Sequence, residues 1–147
     1  MKKTLSYATP KEHYAADACV VWCYDDRFSG LLGALMKDLK NYDLVKVAGG
    51  AKALAGGPSP ERDFILGQIT TSVRLHGTKR IVLMLHRDCG AYGGSKQFAD
   101  PDAEKAFFKD QLAAAKDFLK GEISDLSVDA YFADFDGPFL LNQGGRR

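Results

Sequence analysis

The chain has 147 residues, of which 46% are hydrophobic, enough to bury one core and too few for two ordinary domains. We therefore expect a single domain over residues 1–147. Its 20 Lys and Arg residues nearly balance 19 Asp and Glu residues, giving a net charge of +1, which excludes the broad basic surface that binds nucleic acids or anionic membranes.

The composition also bears on the cellular compartment. No stretch of about 18 apolar residues predicts a membrane span, and residues 1–16, a polar N-terminal extension, lack the apolar run of a signal peptide. Three cysteines, Cys19, Cys23 and Cys89, are a small and odd set, which argues against a disulfide framework and fits a reducing compartment. We expect a cytoplasmic protein whose residues 142–147 form a flexible tail.

The first half of the chain alternates strand and helix patterns. The apolar run from Ala18 to Trp22 predicts a strand buried on both faces, as in a parallel sheet. Leucines at helical spacing predict a helix from Phe28 to Leu39, and Tyr42 to Ala48 is the next strand. A Gly- and Pro-rich loop follows, and then a helix capped by Ser59 or a neighbour begins. It runs to about His76, and His76-Gly77 marks its end.

The second half repeats this alternation. Arg80 to Leu85 is the clearest buried strand of the sequence, and phenylalanines and leucines three and four residues apart predict an amphipathic helix from Ala103 to Leu119. Ser127 to Phe135 predicts a last strand, followed by a turn at Asp136 to Pro138. Strands that alternate with helices indicate a largely parallel α/β sheet.

Two polar clusters follow these strands directly. Cys23, Asp25 and Arg27 come after the first strand, and His86 and Cys89 after the third. Ligands bind beyond the carboxyl ends of parallel strands, so we expect both clusters at one edge of the sheet. Two thiolates and one imidazole suit Zn²⁺, and three protein ligands leave a position for water or substrate. The pattern predicts a catalytic zinc site that activates water.

Asp25 and Arg27 have two alternative functions beside such a metal. Asp25 either binds the metal as a fourth ligand in a closed form or accepts a hydrogen bond from a zinc-bound hydroxide. In the second case Arg27 holds the carboxylate away from the metal. Each residue alone also has an ordinary role, for example Cys23 as a small buried side chain. Their coincidence at two strand ends favours the metal site.

A resemblance to a known family follows from these motifs. C-x-D-x-R at Cys23 to Arg27, with H-x-x-C-G at His86 to Gly90, resembles the signature of the β-class carbonic anhydrases. Val47 to Gly50 is similar to the family's strand that ends in N-A-G-G. Gly77 to Val82 resembles its lead-in to the next strand, and Val128 to Leu140 resembles its closing strand and turn. The similarity covers most of the chain.

The resemblance implies both an activity and a fold. It implies zinc on Cys23, His86 and Cys89, with Asp25 and Arg27 as the catalytic pair, and reversible hydration of carbon dioxide to bicarbonate by a zinc-bound hydroxide. The implied fold is a three-layer α/β fold with a central, mostly parallel sheet and an antiparallel edge strand. The implied assembly is a homodimer or a higher homo-oligomer.

Three glycines lie close to the predicted site. We expect Gly49, Gly50 and Gly90 to contact the substrate. Glycines after a strand also allow a metal-free nucleotide or anion binder, but their spacing gives neither G-x-G-x-x-G nor a P-loop. Turn chemistry and close approach of the backbone are the simpler explanation.

The chain departs from the family pattern at Lys46-Val47, where the family commonly has Arg-Asn. This change removes a hydrogen-bonding side chain near the site, and the chain is also short for the family. Two alternatives therefore stay open. One is a zinc-binding relative without carbon dioxide hydration activity, and the other is a hydrolase of carbonyl sulfide or carbon disulfide, whose carbon the same hydroxide would attack.

Overall fold

One mixed sheet organises the computed structural model, which describes residues 1–141, so that the tail expected at 142–147 lies outside the described residues. Its strands are β1 (Ala18–Cys23), β2 (Tyr42–Val47), β3 (Arg80–His86), β4 (Ser127–Asp134) and β5 (Gly137–Leu140). They lie in the order β2-β1-β3-β4-β5. The first four strands pair in parallel, and β5 pairs antiparallel to β4. The predicted mostly parallel sheet with an antiparallel edge strand is confirmed.

Helices cover both faces of this sheet. They are α1 (Ser29–Leu35), α2 (Lys52–Ala55), α3 (Pro60–His76) and α4 (Pro101–Glu122), with short 3₁₀ turns at Asp26–Phe28, Gly90–Tyr92 and Ser95–Gln97. All six residues of β1 are buried, although their side chains alternate between the two faces. Within residues 1–141, no helix combines the length and the apolar character needed to cross a bilayer.

The ends of α3 follow the predicted capping signals. The Ser59 hydroxyl accepts a hydrogen bond from the backbone N–H of Arg62 at 3.1 Å, and Pro60 occupies the first helical position, where no N–H is needed. The helix ends at Gly77, whose φ of +66° lies in the left-handed region that glycine adopts without steric strain. Local sequence therefore marks both ends of this helix.

Other boundaries differ from the sequence expectations. The helix expected to reach Leu39 ends at Leu35, where the N–H of Met36 bonds to the carbonyl of Leu32. Two glycines weaken this helix, and the chain must reverse here to begin β2. The short helix α2 was not predicted, because four residues are too few to show a helical period. In contrast, α4 continues through Gly121 to Glu122.

The strand order creates a natural binding crevice. The connection from β1 leads to β2 on one side, whereas β3 lies on the other side of β1. The carboxyl ends of β1 and β3 therefore meet where the direction of the crossovers reverses, which is the usual location of ligand sites in open α/β sheets. The last residues of these two strands are Cys23 and His86.

Gly50 packs directly against both of these strand ends. A Cβ atom at this position would lie 2.5 Å from the Met84 carbonyl oxygen and 3.1 Å from the Cys23 backbone nitrogen. Its φ is +55°, in the left-handed region. A glycine is therefore required here for close packing, irrespective of any contact with a substrate.

We predict that Gly50→Ala lowers the free energy of unfolding by more than about 2 kcal/mol, because the new methyl group meets backbone atoms in a strained conformation. The matched control is Gly33→Ala in α1, where an added Cβ has no neighbour within 4 Å. That substitution should raise stability by up to about 1 kcal/mol. Urea unfolding followed by circular dichroism measures both, and wild-type stability of Gly50→Ala would refute the packing argument.

Candidate metal centre

Three potential metal ligands converge at the end of the sheet. Cys23 is the last residue of β1, His86 is the last residue of β3, and Cys89 follows three residues later. One ligand atom from each residue lies within 4.8 Å of the others, and all three side chains are buried. The structure thus brings together the three residues that the sequence singled out.

The His86 ring is oriented for binding a cation. Its Nδ1–H donates a hydrogen bond to the carbonyl oxygen of Arg87 at 2.7 Å, and the ring packs against Phe28 with 4.5 Å between centroids. With the proton on Nδ1, the lone pair is on Nε2, which is buried and has no hydrogen-bond partner among residues 1–141. An unpaired buried nitrogen is costly, and a bound cation would remove this cost.

The two sulfur atoms are surrounded by backbone donors. The backbone N–H groups of Asp25 and Gly49 lower the pKa of Cys23, and those of Ala91 and Tyr92 act in the same direction on the pKa of Cys89. In the metal-free chain, a hydrogen bond from Cys89 lowers the pKa of Cys23, whereas the neighbouring sulfur and burial raise the pKa of Cys89. A divalent cation would allow both to ionise. Two sulfurs and one imidazole nitrogen fit a Zn²⁺ ion.

Asp25 and Arg27 form a close ion pair beside this cluster. Arg27 donates from Nη2 to Asp25 Oδ2 at 2.6 Å and from Nε to Oδ1 at 3.0 Å. These bonds from the guanidinium lower the pKa of Asp25 to about 2. Oδ2 of Asp25 lies 3.9 Å from Nε2 of His86. The carboxylate is therefore held by Arg27 at the margin of the ligand cluster.

A depression in the surface leads to this ion pair. It is lined by residues that are mostly charged or glycine, namely Asp25, Arg27, Asp88, Gly90, Gly93, Gly94 and Lys96. Gly90 thus lies beside the predicted catalytic pair. The backbone N–H of Gly49 lowers the pKa of Cys23, and Gly50 packs on the strand ends, so each of these two glycines has a function apart from contact with a substrate.

The sequence analysis missed a group of charged residues behind the cluster. The carboxylate of Glu104 in α4 is buried and accepts hydrogen bonds from Arg87 and from the backbone N–H of Asp88. The carboxylate of Asp134 accepts hydrogen bonds from the two guanidinium nitrogens of Arg87 that do not contact Glu104. A glutamate in the first turn of a helix usually interacts with the helix dipole, so the sequence offered no signal that this one faces inward.

Comparisons with known proteins identify a family and a fold for this chain. Residues 14–139 match the model of a family described as "Putative carbonic anhydrase". A Rickettsia conorii protein named only as uncharacterized is 29% identical, over an alignment that covers 92% of this chain and 79% of the relative. The β-carbonic anhydrase isoform I of Trichomonas vaginalis has a TM-score of 0.66 at 15% identity, over 95% of this chain and 90% of that chain.

A second solved structure is similar in fold. The apo form of a carbon disulfide hydrolase has a TM-score of 0.60 at 17% identity, over 88% of this chain and 81% of that chain. At these identities the two structures establish the fold. The predicted family resemblance and the predicted fold class are both confirmed.

We predict that Arg27→Gln in the metal-free protein raises the pKa of Asp25 from about 2 toward the ordinary value of about 3.9. Because the folded-state pKa is lowered, the ionised carboxylate stabilises the fold above about pH 4, and this contribution is lost as the pH falls toward 2. The variant should therefore lose less stability than the wild type in this window.

Carbon-detected NMR of the Asp25 carboxyl group measures this pKa directly. The control is Arg80→Gln, which removes an arginine paired with Asp129 on β4, far along the strands from the ligand cluster, and should leave the Asp25 pKa unchanged. An Asp25 pKa that is insensitive to Arg27→Gln would show that the ion pair does not control this carboxyl group.

Proposed function

Because this chain belongs to the carbonic anhydrase family whose model spans residues 14–139, we propose that it is a zinc-dependent enzyme that catalyses reversible hydration of carbon dioxide to bicarbonate. The convergence of Cys23, His86 and Cys89 within 4.8 Å is the observation that carries this proposal. The orphaned Nε2 of His86 supports it independently. We assign the three residues as zinc ligands and Asp25 and Arg27 as catalytic residues.

The ligand set suits catalysis because it is incomplete. Cys23, His86 and Cys89 would hold zinc through three protein ligands, which would leave a coordination position for water or substrate. When bound, zinc supplies a Lewis acid that lowers the pKa of a coordinated water to about 7. Backbone N–H groups near the two sulfurs favour their thiolate forms. The hydrogen bond from His86 to the Arg87 carbonyl fixes the imidazole tautomer.

Asp25 orients the reacting water in this proposal. An ionised carboxylate only accepts hydrogen bonds, and the low pKa of Asp25 keeps it ionised across the physiological range. Arg27 engages both carboxylate oxygens and also donates from Nη1 to Asp88 at 3.0 Å. Arg27 thereby holds Asp25 in the position of a water acceptor and restrains it from becoming a fourth metal ligand.

The substrate site does not need a charged side chain to bind carbon dioxide, because this molecule is small and has no net charge. We propose that it approaches through the depression beside Gly90, where the absence of a side chain leaves space next to Asp25 and Arg27. Gly49 and Gly50 contribute indirectly. The backbone N–H of Gly49 favours the thiolate form of Cys23, and Gly50 packs behind the strand ends.

Hydrolysis of carbon disulfide or carbonyl sulfide is a second candidate function. In the β1–β2 register Val47 is the partner of Cys23, so an apolar side chain stands where the family commonly has asparagine. This makes one flank of the ligand cluster less polar, which favours an apolar heterocumulene. The fold similarity to a carbon disulfide hydrolase is compatible with this candidate.

We propose that the protein acts as a homodimer or a higher homo-oligomer in the cytoplasm. The oligomer rests on the resemblance to the β-class enzymes alone. The compartment rests on the thiol chemistry, because Cys23 and Cys89 must remain reduced to bind zinc, and both are free in the structure.

We predict that the purified protein contains about one zinc ion per chain and that Cys23→Ser abolishes stoichiometric zinc binding. Asp25→Ala and Arg27→Ala should retain zinc but lower kcat for carbon dioxide hydration by about 10- to 100-fold, because they leave the reacting water unoriented. Elemental analysis and stopped-flow hydration assays measure these quantities.

Matched controls separate the catalytic pair from nearby charges. Asp26→Ala removes a carboxylate next to Asp25 that bonds to Ser29 at the start of α1, and it should retain the wild-type kcat. Wild-type protein that holds zinc yet gives no hydration rate above buffer would refute carbonic anhydrase activity. Turnover of carbon disulfide or carbonyl sulfide by that protein would establish the second candidate.

A further inference from the structure

A buried charged network lies behind the metal centre and includes none of the residues assigned above. Its centre is Glu104, near the start of α4, which is only 1% exposed. A buried carboxylate is tolerated only when donors surround it. Its Oε2 accepts hydrogen bonds from Arg87 Nη1 at 2.9 Å and from Ser95 Oγ at 2.8 Å, and its Oε1 accepts the Asp88 N–H at 2.7 Å.

Arg87 connects this carboxylate to the sheet. Its guanidinium binds both oxygens of Asp134 in β4, with distances of 2.5 and 2.6 Å. The third guanidinium nitrogen, Nη1, donates to Glu104 and also to the Pro101 carbonyl oxygen, the latter at 3.0 Å. The guanidinium carbon lies 5.4 Å from the centroid of the Phe132 ring. Side chains from α4 and β4 therefore fix Arg87 from two directions.

The hydrogen bonds from Glu104 and Asp134 hold the segment that joins two of the proposed metal ligands. Arg87 and Asp88 are the only residues between His86 and Cys89. The Arg87 carbonyl accepts the Nδ1–H of His86 and sets the ring orientation. Asp88 has φ of +56°, uncommon for a residue other than glycine, and its carboxylate and carbonyl both accept hydrogen bonds from Arg27.

We propose that Glu104 is a positioning residue for the metal centre, acting through Arg87 and Asp88. Its carboxylate holds the Asp88 backbone in its unusual conformation and anchors Arg87, and this fixes His86, Cys89 and the contact to Arg27 together. This inference rests on one part of the proposed function, the binding of zinc by the cluster. It concerns how the chain keeps His86 and Cys89 in position to bind the metal.

Glu104→Gln tests this directly, because the amide places an N–H₂ group where a carboxylate oxygen now meets donors. Asp134→Asn weakens the other anchor of Arg87. The matched control is Asp129→Asn, since Asp129 also lies on β4 and binds an arginine of β3, Arg80 at 2.8 Å, but at the opposite end of the strands. Circular dichroism and thermal unfolding identify the temperature range in which each variant is folded.

Two readouts do not depend on turnover. Zn²⁺ affinity is measured by competition with a chromophoric chelator, and ligand geometry by the visible absorption of the Co²⁺-substituted protein. We expect Glu104→Gln and Asp134→Asn to bind Zn²⁺ about 10- to 100-fold more weakly than wild type and to show altered cobalt bands. Asp129→Asn should match wild type in both measurements.

Wild-type affinity and an unchanged cobalt spectrum in folded Glu104→Gln would overturn the inference. An equal loss of affinity in Asp129→Asn would also overturn it, because general destabilisation would then explain the effect. If Glu104→Gln fails to fold, Asp134→Asn decides by the same criteria, since its carboxylate is 15% exposed. Wild type that binds Zn²⁺ without hydrating carbon dioxide would refute the proposed function and leave this comparison intact.

Discussion

The metal centre depends on one constraint, the parallel pairing of β1 with β3 in the middle of the sheet. This pairing places the last residue of each strand at the same edge, and it brings a thiol and an imidazole together from positions 63 residues apart, 23 and 86. Helices bury both faces of the two strands, so the ligand atoms meet away from bulk water. Gly50 completes this arrangement because its lack of a side chain lets the following segment pack on both strand ends.

Charges around the cluster are organised by two arginines, each of which binds two carboxylates. Arg27 binds Asp25 and Asp88, and Arg87 binds Asp134 and Glu104. The two sets are joined at Asp88, whose backbone N–H bonds to Glu104 while its carboxylate bonds to Arg27. The residues that surround the ligands thus form one connected polar network, and we expect substitutions within it to have non-additive effects on stability.

The sequence was informative wherever a local pattern carried the signal. Continuous apolar runs revealed β1 and β3, and Ser59 and Gly77 marked both ends of α3. The antiparallel β5 was expected only from the family resemblance, because Gly137-Pro138 in isolation indicates a turn. The inward orientation of Glu104 was not predictable, since it depends on Arg87 and Ser95 arriving from other parts of the chain. Pairing and burial of this kind are tertiary properties.

The pleat of β3 has a consequence for how this chain tolerates changes in length. Successive side chains along a strand point to opposite faces. The number of residues from Arg80 to His86, which is seven, therefore determines the face on which the His86 side chain lies. Insertion or deletion of one residue within β3 would turn the His86 imidazole to the opposite face of the sheet, although the composition of the strand would hardly change. Homologues are therefore expected to vary in length at surface connections such as the loop before α4, and to keep this interval constant.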